Sequence, residues 1–258
     1  MTILRENILR AELEFPRLFA SVEEKDYGLL FYNEHDAESH DSNHAVLYPE
    51  RVTDFNAVLA EITKFYLGKG LVPRIYQPFT DGYFTDRRET LERHGYHVEQ
   101  YGRTRFMLLT EPCEITVPHR LDLRRVTAWD ERIARDIYLP AGETYEIEVE
   151  RNSIRNENYV FLAGYLGDEI AAMLSFHESP HGCTRFDNIV TAPKHRGQGY
   201  AQEMLRHAVL YVKENGIQNC YQWPAHETSE RISHRAGFRH VFDAEAGCAV
   251  YEGQRKAI

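Results

Sequence analysis

DNIVTAPKHRGQGYA, residues 187–201, is the stretch that decides how this chain folds. An apolar, β-branched run (Ile189, Val190, Thr191) stops at Pro193. A basic, glycine-spaced turn follows, Lys194-His195-Arg196-Gly197-Gln198-Gly199, and a helical pattern begins at once. A strand, a glycine turn and a helix in that order make a cradle for phosphate. The first N–H groups of a helix have no internal partner, and the helix dipole favours an anion beside them. Gly197 and Gly199 can take positive φ and let a ligand approach the backbone. Two glycines in a turn say little alone; their place between this strand and this helix makes them informative.

Downstream, Ala201, Met204, Leu205, Ala208, Val209 and Val212 recur at spacings of three and four, so the helix has one apolar face. Asn215-Gly216 ends it. Ile217–Trp223 then reads as a short strand, Glu227–Ala236 as a second helix, and Gly237-Phe238 turns the chain into a final strand ending near Tyr251. Upstream, the pattern predicts a strand over Leu121–Val126 and a helix over Ala128–Tyr138. A break at Pro140–Gly142 and a helix over Tyr145–Ile154 follow. Then comes a hairpin, Tyr159–Leu166 and Glu169–His177, turning at Gly167-Asp168.

Over about Ile115–Tyr251 the chain resembles the GNAT superfamily of N-acetyltransferases. The family signature, Q/R-x-x-G-x-G/A between a strand and a helix, is met by Arg196-Gly197-Gln198-Gly199-Tyr200-Ala201. The later family helix, ending in a glycine-aromatic pair, is matched by SERISHRAGF, Ser229–Phe238. The resemblance implies a mixed, mostly antiparallel sheet flanked by helices, with acetyl-CoA as cosubstrate. It implies that the amides of Arg196, Gly197, Gln198, Gly199, Tyr200 and Ala201 hold the pyrophosphate. The strand backbone at Ile189, Val190 and Thr191 is then expected to take the pantetheine arm and the carbonyl. Lys194 and His195 stand beside the turn as further positive charge or as a solvated turn. The acceptor is not legible, because fold does not settle function.

Transfer from a thioester to an amine needs a deprotonated amine, a stabilised carbonyl oxygen and a leaving thiolate. Asp187 is the first candidate for the base: it falls where many GNAT members carry a strand glutamate, and burial there raises a carboxyl pKa. The alternative for Asp187 is a structural carboxylate paired with an arginine such as Arg185. Glu146, Glu150 and His177 rank below it. The family's usual general acid, a tyrosine four residues before the glycine, is replaced by Ser233, which leaves donation through water as its possible role. Catalysis does not require an acid, since an alkyl thiol of pKa about 8.5 leaves as a thiolate. His226, His234 and Tyr251 read as surface or packing residues. The acids Glu143, Glu146, Glu148 and Glu150 read equally as a wall for an amine or as a solvated helix face.

The first half carries a faint copy of the second. Asp54–Ile62 starts a helix that ends near Gly68 or Gly70, and RIYQP (Arg74–Pro78) parallels YQWP (Tyr221–Pro224). A polar helix over Arg87–His94 precedes Gly95-Tyr96, the counterpart of Gly237-Phe238, and Arg105–Leu109 closes the copy as a strand. Pro49 sits where Pro193 sits, but no glycine follows it, so side chains should block a pyrophosphate. The expected organisation is two tandem GNAT-like α/β domains: a degenerate one over 1–112 and a catalytic one over 113–258, with the boundary at Glu111–Pro118. The alternative reading is a non-catalytic acyl-CoA-binding sensor.

Composition narrows the field further. With 258 residues, 43% hydrophobic and 27% charged, the chain has the make-up of a soluble globular protein. The net charge of −10 argues against general nucleic-acid binding. No apolar run approaches the roughly 20 residues that span a bilayer, and the first residues read as an amphipathic helix rather than a signal peptide. Cys113, Cys183, Cys220 and Cys248 lack C-x-x-C spacing and read as free thiols in a reducing cytosol. No H-E-x-x-H or similar pair points to a metal, and EHDAESHDSN (Glu34–Asn43) reads as a solvated loop. A nucleotide-binding enzyme lacks its G-K-[ST] or G-x-G-x-x-G. The expected form is a cytoplasmic monomer or homodimer acting on a small-molecule or peptide amine.

Overall fold

The computed structural model describes residues 2–76, 79–110 and 119–253. The first half runs through α1 (Thr2–Glu14), β1 (Ser21–Lys25), β2 (Gly28–Tyr32), β3 (His44–Leu47), α2 (Phe55–Gly68), β4 (Arg74–Tyr76), α3 (Tyr83–Arg93) and β5 (Tyr96–Leu109). The second half begins with β6 (Asp122–Val126), α4 (Glu131–Ile133), a π-helical turn (Ala134–Tyr138), α5 (Leu139–Ala141) and α6 (Glu146–Ser153). It continues through β7 (Tyr159–Leu166), β8 (Glu169–Ser179), β9 (Cys183–Thr191), α7 (Tyr200–Glu214), β10 (Cys220–Gln222), α8 (Glu227–Arg235) and β11 (Phe238–Tyr251).

Two compact units divide the chain, and neither is continuous in sequence. Unit 1 is Met1–Ala11 with Arg105–Phe242; unit 2 is Glu12–Thr104 with Asp243–Ile258. The expected boundary segment, Glu111–Pro118, lies outside the described residues. The division after residue 112 differs from these units at both ends of the chain, because strand pairing groups residues that are far apart in sequence. Leu108, from the first half, pairs with Tyr221 in unit 1, and Cys248, from the second half, pairs with Tyr76 in unit 2.

In unit 1 the strand order is β6-β7-β8-β9-β10-β5, antiparallel except for β9 beside β10. The apolar face of α7 (Met204, Leu205, Ala208, Val209, Val212) packs into one cluster with Leu162, Leu174, Phe176 and Phe238. Gly164 on β7 lets the helix come close: a Cβ there would lie 2.8 Å from both Leu121 Cδ1 and Met204 Sδ. The helix expected to end at Tyr138 runs on to Ala141 through the π turn. Pro140, which has no N–H for an i→i−4 bond, sits just past that turn.

In unit 2 the order is β1-β2-β3-β4-β11, antiparallel except for β3 beside β4. Leu59, Ile62 and Tyr66 of α2 and Leu91 of α3 form its core with Leu30, Ala45, Ile75 and Ala249. The strands β1, β2 and β3 were not expected. Nor is Glu34–Asn43 simply a solvated loop: Ser39, Ser42 and Asn43 are buried. The Asn43 amide donates to the carbonyls of Asp36 (2.8 Å) and Ser39 (2.9 Å) and accepts from the Asn33 N–H (2.8 Å), so the loop is tied from within.

The repeat is visible element by element. β3 leads through a proline-led 3₁₀ turn (Pro49–Arg51) to α2, then β4 parallel to β3, then α3. β9 leads through Pro193–His195 to α7, then β10 parallel to β9, then α8. Gln77 and Pro78, part of the expected first-half strand, lie outside the described residues.

Candidate functional site

The turn after β9 has the geometry its sequence demands. Gly197 has φ +76° and Gly199 φ +84°, and Gly199 is the N-cap of α7. Glycine puts no oxygen over the first turn, and no side chain caps the helix. The Glu203 N–H is the first in α7 to reach back four residues, to the Gly199 carbonyl (3.1 Å). The N–H groups of Tyr200, Ala201 and Gln202 therefore precede the helix's own ladder and carry the positive end of its dipole. Nothing among the described residues stands within 4 Å of where a Cβ on Gly197 would lie. The corresponding turn in unit 2 is closed. There the Asp54 carboxylate caps α2, accepting from the Ala57 N–H at 3.1 Å, so an anion already occupies that helix start.

Beside the turn, β9 offers an open edge. β10 pairs with it only at Thr184 and Arg185. On the other edge Ala192 N–H bonds to the Ala171 carbonyl (2.9 Å), which continues the β8–β9 register as a hydrogen-bonded pair. Alternate residues of an antiparallel pair turn their backbone groups opposite ways. Val190 therefore turns its N–H and C=O toward Met173 on β8. Ile189 and Thr191 turn theirs to the edge β10 leaves unpaired. The Thr191 carbonyl already accepts from Arg196 Nε there (3.3 Å).

A bulge lies just upstream. Leu174 faces Ile189, but Phe176 faces Phe186, so Asp187 and Asn188 together oppose Ser175. The Asn188 N–H reaches Ser175 Oγ (3.3 Å). Asp187 and its ion-pair partner Arg185 (Nη2–Oδ1 2.9 Å) have side chains only 16% and 11% exposed. Burial pushes the Asp187 carboxyl up, and the Arg185 charge pulls it part of the way back. The guanidinium also lies 5.6 Å from the centre of the Trp223 ring. Asn188 turns its amide to Glu150 Oε1 (3.0 Å), while the Tyr159 hydroxyl donates to Glu150 Oε2 (2.9 Å). Glu150 is fully buried, and burial pushes its carboxyl up to about 7 against the pull of those hydrogen bonds. Burial and the Arg185 charge push His177, opposite Arg185 on β8, down to about 4.

The remaining expected residues divide. Lys194 Nζ (2.7 Å) and His195 Nε2 (3.4 Å) turn to Glu169. Ser233 is buried in α8, and its hydroxyl donates to the Ser229 carbonyl (2.7 Å), one turn back on its own helix. Its proton is committed to the backbone. His226 caps α8: its Nδ1 accepts from the Ser229 N–H (3.2 Å). Two residues at the turn were not anticipated, Arg120 and the buried Glu203. Glu203 carried one sequence signal, an acid in the first turn of a helix; Arg120 carried none, since only tertiary contact brings it to α7.

Among the described residues no group of three or more metal-type side chains is found, and no helix is long and apolar enough to cross a membrane. Cys183, Cys220 and Cys248 are free and buried; Cys113 lies outside the described residues.

Comparison with known proteins bears on the family and the fold. Residues 124–238 match the model of the acetyltransferase (GNAT) family. Among solved structures, the chain is similar to a GCN5-related N-acetyltransferase from Kribbella flavida, at 17% identity over 95% of each chain with a TM-score of 0.66. It is similar to one from Sphaerobacter thermophilus at 13% identity, over 94% of this chain and 86% of that one, with a TM-score of 0.55. It is also similar to a tandem GNAT protein from the clavulanic acid biosynthesis pathway at 12% identity, over 82% and 76% of the two chains, with a TM-score of 0.57. At these identities the likeness is one of fold. No curated protein matches the chain.

Proposed function

Residues 124–238 are a GNAT domain, and from that premise we propose that the protein is an acetyl-CoA-dependent N-acetyltransferase. In this reading it passes an acetyl group directly to a primary amine of a small molecule or peptide within a ternary complex. The observation that carries the reading is the uncapped, glycine-flanked start of α7 beside the unpaired edge of β9. The amides from Arg196 to Ala201 take the diphosphate. Ile189 and Thr191, whose backbone groups face the open edge, take the pantetheine arm, while Val190 lends its side chain only. Acetyl-CoA brings the activated acyl group; the chain's own residues orient it and manage one proton. Asp187, at the bulge, receives that proton from the amine through water, and its raised pKa makes it a better base than an exposed aspartate. The nitrogen lone pair then adds to the thioester carbonyl, the carbon–sulfur bond breaks as the thiolate departs, and that thiolate takes up the remaining proton that the nitrogen sheds. Ser233 takes no part, because its hydroxyl is already satisfied.

The sequence-ordered pair of GNAT-like modules, 1–112 and 113–258, belongs to the same proposal, with the first module silent toward CoA because Asp54 fills its helix start. Buried free thiols suit a cytoplasmic protein, active as a monomer or homodimer. The committed hydroxyl of Ser233 favours one other reading, an acyl-CoA sensor that does not turn over. The test is calorimetric titration with acetyl-CoA, followed by a thiol-release assay against a panel of amines. Binding with release supports the enzyme. Binding without release from any amine supports the sensor, and no binding removes both.

A further inference from the structure

A further cation, Arg120, stands at this turn. Arg120 lies just before β6, far from the turn in sequence, and Glu203 fastens it there. The Glu203 side chain is buried at the start of α7. Its Oε1 accepts from the N–H groups of Arg120 (2.6 Å) and Leu121 (2.9 Å), and its Oε2 lies 3.4 Å from Arg120 Nε. With the backbone held, the guanidinium spreads over the Tyr200 ring, 4.5 Å from its centre. Its Nη2 donates to the Gln198 carbonyl (2.8 Å). That same nitrogen is the one atom among the described residues within 4 Å of a Cβ built on Gly199, at 3.5 Å. The side chain is 37% exposed.

The other positive groups at the turn are placed differently. Lys194 and His195 are drawn to Glu169, and Arg196 bends back to the Thr191 carbonyl. Arg120 alone is stacked, braced and set beside the free amides of α7. A rigid guanidinium fork matches phosphate oxygens and loses little freedom on binding when it is already held.

We propose that Arg120 is the side-chain ligand of the acyl-CoA diphosphate, standing opposite the backbone amides of Gly197–Ala201. The inference rests on the acyl-CoA reading above. Its test is calorimetric titration of CoA and of dephospho-CoA, which keeps the diphosphate and lacks the 3′-phosphate, into the wild-type protein, Arg120→Gln and Arg120→Lys. Arg120→Gln is expected to weaken both ligands by roughly tenfold to a hundredfold and by the same factor, with Arg120→Lys between it and the wild type. Equal affinities for wild type and Arg120→Gln would overturn the assignment while leaving the acyl-CoA reading intact. So would a loss confined to CoA, which would put Arg120 on the 3′-phosphate. Should Arg120→Gln melt early, Arg120→Lys decides alone: unchanged affinity for dephospho-CoA counts against the proposal. Failure of the wild type to bind either ligand would remove the acyl-CoA reading and this inference together.

Discussion

Two carboxyls sit within one bulge's reach and face opposite fates. Asp187 keeps a cation beside it, whereas Glu150 has only neutral donors and full burial. For Asp187→Asn we expect kcat to fall roughly 10²–10⁴-fold, the usual worth of a general base, with little change in the KM for acetyl-CoA. Steady-state kinetics check this, and unchanged turnover would return Asp187 to a structural role with Arg185. Glu150 makes a prediction about stability instead. Its folded carboxyl holds a proton up to about pH 7, against a reference value of 4.5. Between those values the folded state binds more protons than the unfolded one, so stability falls as pH rises through the window and levels off above it. The full loss is about 3 kcal/mol at roughly 1.4 kcal/mol per pH unit. Urea denaturation at pH 5, 6, 7 and 8 should show this slope in the wild type. Glu150→Gln, which cannot ionise, should be flatter; parallel curves would refute the assignment.

At the scale of elements, α7 is the part whose placement matters most, and two features set it. Its helical apolar face buries against the sheet, and Gly164 gives it room on β7. Gly164→Leu would drive a side chain into Leu121 and Met204, and overpacking of this kind costs roughly 1–3 kcal/mol. We expect a lower midpoint in thermal denaturation together with weaker acetyl-CoA binding, since the start of α7 would move with the helix. A lower melting point with unchanged affinity would show that the turn holds itself in place. The elements themselves were largely legible. The repeat of apolar residues gave α7, the glycine-spaced turn gave its start, and the turn at Gly167-Asp168 gave the β7–β8 hairpin. The strands β1 to β3 were not, because their burial is nearly continuous in β2 and β3 and leaves no alternation to read. The helix around Pro140 was cut short for a similar reason: proline is a stop signal unless a π turn absorbs the lost hydrogen bond.

The whole chain contains two versions of one strand–turn–helix arrangement, and they differ at the helix start. One has Gly199 and no side-chain cap; the other has Asp54, whose carboxylate already satisfies an amide. Titration should therefore give one acetyl-CoA per chain. A stoichiometry of two would mean that the α2 start binds as well and that the Asp54 cap yields to the ligand.

The order of elements in the second half, the repeat and the glycine-flanked start of α7 followed from sequence alone, because periodicity, proline and glycine act on the residues next to them. The ion pair of Asp187 with Arg185, the sealed carboxyl of Glu150, the bond of Ser233 to the Ser229 carbonyl and the arrival of Arg120 at α7 did not. Each depends on which groups the fold brings within about 3 Å, a distance at which hydrogen bonds form and charges shift a pKa. The composition of the two units was decided in the same way. Backbone hydrogen bonds join strands by position in a sheet, and that position is fixed only once the chain has folded.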